Sequence, residues 1–136
     1  MDFGERRIGI ALSDDTGLIA SVLTTLNRKS ESKDLQSILQ IANENHADEI
    51  VIGLPVLLSG KTGLQARRVL DFGNKLSNQV AIDVKYFDER FSTVEAKRLL
   101  KENNFNFAKN PARVDAVAAA VILQSYLDSN RINYGD

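Results

Sequence analysis

Three short stretches of this sequence place carboxylates where a scaffold alone would not need them. Asp2 opens the chain, ahead of a Gly4 turn, Arg6-Arg7 and the strand-like run Ile8-Gly9-Ile10-Ala11-Leu12. Asp88 and Glu89 end the run Ile82 to Phe87, directly before Arg90. Asp115 lies between Val114 and Ala116-Val117, where a carboxylate is costly unless it is paired or bound to a metal. Acids on separate elements suit the hydrolysis of a phosphodiester. Water must be activated and charge on the leaving oxygen stabilised, and two Mg²⁺ or Mn²⁺ ions about 4 Å apart accomplish both. These hard cations prefer oxygen ligands, so Asp and Glu suffice without cysteine or histidine.

Each acid also has a plain structural reading. Asp2 can fray as a terminal residue. Asp88 can pair with Arg90 or lead into the following cap. Asp115 can complement a helix N-terminal dipole. Asp14 and Asp15 read as turn formers, and His46 reads as a loop residue.

The remaining composition narrows the chemistry. The 136 residues are one domain's worth, and 43% hydrophobic residues provide for one sizeable core. The absence of cysteine excludes disulfides, thiolate nucleophiles and Cys-based metal sites, and it fits a reducing cytoplasm. A single histidine, His46, rules out a His-rich metal site. No signal peptide or membrane-spanning run is expected, since the apolar stretch Ala116 to Leu123 is too short to span a bilayer. A net charge of −1 argues against wholesale binding of nucleic acid through a basic face. A local rim of Arg6-Arg7, Arg67-Arg68, Lys97-Arg98, Lys101, Lys109 and Arg113 remains compatible with it.

These groups need elements to hold them. The pattern predicts strands over 7–12 and 18–26 joined by the turn 13–17, then a helix over 33–45. A buried strand, 49–52, ends at Gly53, a loop follows over 54–62, and a helix covers 63–76. A strand over 80–87 leads into a capping box at Ser92 and Glu95 that starts a helix to about Asn103. Asn110-Pro111 opens a final helix to about Asp128. A hairpin followed by alternating strands and helices predicts an α/β fold with an antiparallel edge and helices on both faces. Ligands in such sheets gather at the carboxyl ends of the parallel strands.

Four blocks in order carry a resemblance covering essentially the whole chain. They are Asp2 to Asp14; Val51-Ile-Gly-Leu-Pro55 with Gly60, Gln65-Ala66, Val69 and Phe72; Phe87-Asp-Glu-Arg-Phe-Ser-Thr93 with Ala96; and Val114-Asp115 with Ala118-Ala119 and Ile122 to Leu127. The chain resembles the YqgF family, named for pre-16S rRNA processing and for Holliday junction resolution. The resemblance implies one RNase H-like domain over 1–136: a mixed sheet with a three-stranded antiparallel part, two parallel strands and helices on both faces. It implies a two-metal site on Asp2, Glu89 and Asp115, with Asp88 beside it. Glu89 is favoured within its pair because its side chain is longer. Arg7, Arg90, Lys97 and Arg113 would meet nucleic acid, and Gly53 and Pro55 would shape the loop over the site.

One departure from the family stands out. Relatives carry several apolar residues before the first Asp, whereas here only Met1 precedes it. A central strand cut to a stub loses ladder bonds, and Asp2 is expected to be loosely held.

Three functions compete. A nuclease would process the 5′ end of pre-16S rRNA, with a pre-ribosomal particle as partner, or cut branched DNA; the lack of an extra basic arm favours structured RNA. An RNA-binding assembly factor would keep the fold without catalysis. The Asp2-x-Gly4 start also resembles the phosphate hairpin of actin-like ATPases, which need two such domains where this length supplies one.

Overall fold

A computed structural model describes residues 1–56, 63–92, 98 and 114–134, residues 131–134 by their backbone alone. The strands are β1 (Asp2–Phe3), β2 (Arg7–Ser13), β3 (Ala20–Asn27), β4 (Glu49–Leu54) and β5 (Asp83–Asp88). The helices are α1 (Glu31–Glu44), α2 (Leu64–Ser77) and α3 (Val114–Tyr134), with a 3-10 turn at Glu89–Phe91. The strands β1, β2 and β3 form an antiparallel sheet in that order, and β4 pairs parallel to β5.

Met1 joins the two sheets edge to edge. Its amino group donates to Val51 O at 2.7 Å, and the Gly53 N–H donates to Met1 O at 3.0 Å. That pattern sets Met1 beside Ile52 in parallel register. The first strand is thus a two-residue stub in the centre of a five-stranded sheet, and ladder bonds bracket Asp2 on both sides. The expectation of a loosely held Asp2 overlooked this bracketing.

Side-chain alternation sorts the sheet into two faces. Met1, Phe3, Ile8, Ile10, Ile50 and Ile52 join Leu35, Ile38, Val69, Phe72 and Leu76 of α1 and α2 in one core. Phe3 stacks on Phe72 with ring centroids 4.4 Å apart. Between those positions, Gly9 and Ala11 turn to the opposite face, where α3 packs through Ala120 and Val121. The α3 helix is apolar on several sides because the sheet and its edges cover it.

Local chemistry explains the shifts from the expected boundaries. Strand β3 begins at Ala20 because the Asp14 carboxylate accepts from the Leu18 and Ile19 amides and holds them in the turn. Helix α1 begins at Glu31 because Ser30 caps it, accepting from the Lys33 amide at 3.2 Å. Strand β5 starts at Asp83 because the Val80 N–H still bonds Leu76 O at the end of α2. Ser92 follows the 3-10 turn with an extended backbone; beyond it the expected helix, apart from the helical Arg98, and the Asn110-Pro111 helix start lie outside the described residues.

At the amino end of β4, Leu12, Ile38, Ala42, Ile50, Leu123 and Leu127 line a cavity of about 370 Å³. There, among the described residues, no strand fills the space between the edges of β2 and β4. An apolar extension of three or four residues ahead of Met1 is expected to continue β1 into this slot. Each new cross-strand pair contributes a few tenths to ~1 kcal/mol, so thermal melts should shift upward by roughly 5 °C. Cleavage should rise with it; unchanged melting and unchanged cleavage would show that the slot does not accept a strand.

Candidate active site

The registers of β1, β2 and β4 set a row across the α3 face of the sheet. Asp2 pairs with Gly9 on one side. On the other, the Met1 ladder puts it beside Gly53, which pairs in turn with Phe87. Asp2 therefore stands between two glycines, and each glycine admits a second acid. A Cβ on Gly9 would lie 1.9 Å from the Asp115 carbonyl oxygen, so α3 rests its first turn directly on β2. A Cβ on Gly53 would lie 2.8 Å from Glu89 Oε1 and 2.6 Å from Ile122 Cδ1. A glycine inside a strand marks such close approaches.

The result is a group of acids at the carboxyl end of β4 and β5. Burial raises the Asp2 carboxyl above its ordinary value; the Met1 ammonium opposes this and the charge of Asp115 adds to it. Burial likewise raises Glu89, and the charges of Asp2 and Asp88 push in the same direction. Burial lowers the Met1 ammonium to about 6, with Asp2 and Glu89 opposing.

The other predicted residues divide sharply. Asp88 is committed to Arg90: it accepts from the Arg90 backbone N–H at 2.9 Å and from Nη2 at 2.6 Å. That hydrogen bonding holds its carboxyl below the usual range. Glu89 is the member of the pair beside Gly53, in the Asp2 row. Arg7 donates through Nε to Asp115 Oδ2 at 2.6 Å. Lys97 and Arg113 lie outside the described residues. Asp14 accepts from Thr16 Oγ1 and from the Leu18 and Ile19 amides, which is turn work. His46 is exposed, with φ 51°, at the end of α1.

The donor set suits a hard divalent cation. Among the described residues no three acidic or histidine side chains stand close enough to enclose one ion. Asp2 instead shares its neighbourhood with Glu89 on one side and Asp115 on the other. Mg²⁺ commonly takes only one or two carboxylates and completes its shell with water and substrate phosphate. Mutually repelling, partly buried acids are what a cation would relieve.

Gly53→Ala tests the row. The clashing atoms are the ends of flexible side chains, so the stability cost is expected to be about 1 kcal/mol. Glu89 must move aside, and a displacement near 1 Å can lower turnover about 100-fold. Denaturant unfolding and a cleavage assay should therefore separate, with little change in the first and a large loss in the second.

The bonding of Arg7 to Asp115, and the part Gly9 plays in seating that acid, were not read from the sequence. A glycine amid Ile8 and Ile10 was the one available signal.

A mixed sheet with one acid on its central strand, a second just past β5 and a third on the helix laid across that face is the architecture of an RNase H-like nuclease. The chain belongs to the RuvX family, described as Holliday junction resolvase, which it matches over residues 1–129. It is accordingly a hydrolase of nucleic-acid phosphodiesters. A protein of Trichormus variabilis named "Putative pre-16S rRNA nuclease" is 40% identical over 133 residues, covering 98% of this chain and 88% of the relative. One of Clostridium botulinum (strain Hall) with the same name is 43% identical over 129 residues, covering 95% of this chain and 94% of the relative. Among the described residues no helix is long and apolar enough to cross a membrane.

Proposed function

We propose that this protein cuts structured RNA at the 5′ end of pre-16S rRNA, in the cytoplasm and on a pre-ribosomal particle, with two Mg²⁺ or Mn²⁺ ions seated about Asp2. The observation that carries this reading is the placement of Asp2 between Gly9 and Gly53, with Asp115 and Glu89 admitted on either side. Asp2 would be the shared ligand, and Glu89 and Asp115 the flanking ones. Bound there, the cations would activate the attacking water and stabilise the leaving oxygen. Arg90, pinned by Asp88, would meet phosphate, and Lys97 and Arg113 would add to that contact.

Two observations favour RNA. The names of the relatives point to pre-16S rRNA. Phe91, in the turn that carries Glu89, is 64% exposed and offers a flat face to an unpaired base. The description of the family favours a second reading, resolution of branched DNA.

The test is cleavage of a pre-16S 5′ precursor RNA and of a four-way DNA junction in Mn²⁺, comparing wild type with Asp115→Asn. Removing one ligand charge is expected to lower the rate at least about 100-fold. Junction cleavage alone would select the second reading. Cleavage that survives the substitution would remove Asp115 from the site, and RNA binding without cleavage by wild type would indicate an assembly factor.

A further inference from the structure

The three proposed ligands are not neutralised alike. Asp2 and Glu89 face each other's charge, with the Met1 ammonium as the opposing cation. Asp115 instead holds an arginine: Arg7 Nε donates to its Oδ2 at 2.6 Å, with the Asp115 side chain 26% exposed and that of Arg7 50% exposed. The Arg7 bond uses one of five guanidinium N–H groups, and among the described residues it is the only bond that anchors this half-exposed side chain. A guanidinium is always charged and suits phosphate as well as carboxylate. Arg7 also lies at the start of β2, on the strand that pairs Gly9 with Asp2.

We propose that Arg7 is a positioning residue that holds Asp115 in the metal-free protein and passes to a substrate phosphate when a divalent cation takes Asp115. This rests on the two-metal reading above and adds to it an order and a coupling. The cation displaces Arg7 from Asp115 and frees the guanidinium for the backbone of the nucleic acid. Phosphate, conversely, draws Arg7 away and uncovers Asp115 for the cation. Coupling of this kind is reciprocal, so each ligand tightens the other by the same factor, typically 5- to 150-fold. The metal-free protein is kept from exposing three uncompensated acids. It is also disfavoured from holding a metal without substrate.

The experiment titrates Mn²⁺ alone into metal-free wild type, Arg7→Gln and Arg7→Lys by calorimetry, with thermal melts to show that each is folded. Arg7→Gln removes the competing cation, so its Mn²⁺ affinity is expected to rise about 10-fold in the absence of nucleic acid. Arg7→Lys keeps the charge and should stay near wild type. Binding of a phosphorothioate precursor RNA is then followed across a salt series with and without Mn²⁺. The salt slope of wild type should steepen by about 0.7 when Mn²⁺ is added, one further phosphate contact, and that of Arg7→Gln should not. Equal or weaker Mn²⁺ binding by Arg7→Gln would make Arg7 a fixed strut and overturn the proposal alone. Failure of wild type and both variants to bind Mn²⁺ would overturn the metal reading and the proposal together.

Discussion

Asp2→Asn is expected to lower cleavage steeply and, at neutral pH, to raise the melting temperature of the metal-free protein. The two effects have one origin. Asp2 is the shared acid of the group, partly buried and beside Asp115, and its carboxyl is raised above the ordinary value of 3.8 by burial first. A raised carboxylate pKa means that the folded state binds the proton more tightly than the unfolded chain does. The favourable contribution is present below the unfolded value and is lost as pH rises through the folded one. Wild type therefore carries a growing penalty as Asp2 ionises, which Asn does not share. The difference in melting temperature between variant and wild type should be small near pH 3.8 and widen as the pH is raised. Glu89, raised by burial and by the charge of Asp2, should lose part of its own shift in the variant. Cleavage should fall at least about 100-fold, because charge stabilisation worth several kcal/mol depends on the missing ligand. A variant that melts lower than wild type at pH 7, or whose cleavage falls by much less than about 100-fold, would contradict this account of Asp2.

Gly9→Ala is expected to be the most damaging single methyl in the sheet. Its Cβ would lie 1.9 Å from Asp115 O, 2.2 Å from Asp115 C and 2.8 Å from Ala116 N. All three are backbone atoms of a helix packed against β2 and β3, so no rotamer change relieves the overlap. Overpacking a core ordinarily costs about 1–3 kcal/mol, and a clash with backbone belongs at or above the upper end. The melting temperature should fall by roughly 10 °C. Whatever protein remains folded must have shifted the first turn of α3 away from β2, taking Asp115 with it. Turnover should then fall by about 100-fold or more even at temperatures where the variant is fully folded. Gly53→Ala, whose new methyl meets only side-chain ends, serves as its contrast: similar loss of activity with little loss of stability. If Gly9→Ala melts like wild type, α3 is not seated on β2 in this way.

Much of this arrangement was legible in the residues. A strand-like run marked β2, a short apolar run ending at Gly53 marked β4, and period-3.6 spacing marked α1 and α2 to within two residues at each start. The acids stood out because each lies at an element boundary or amid apolar neighbours. The branch at Asp88-Glu89 was also approachable, since Asp88 is close enough in sequence to pair with Arg90 and leave the longer side chain free. What could not be read is contact between distant segments. That Gly9 lies beneath Asp115, and Gly53 beside Glu89, depends on the registers of three strands meeting at a two-residue stub. That Met1 stitches β1 to β4 requires both registers at once. The pairing of Arg7 with Asp115 spans 108 residues and follows only once α3 is laid across β2.

The most direct test is a crystal of the wild-type protein soaked in Mn²⁺, with the ions located by anomalous scattering. The account predicts two ions about 4 Å apart, both coordinated by Asp2, one also by Glu89 and the other by Asp115. Ions bound away from Asp2, or none at these acids in a protein that cleaves RNA in the same Mn²⁺, would contradict it.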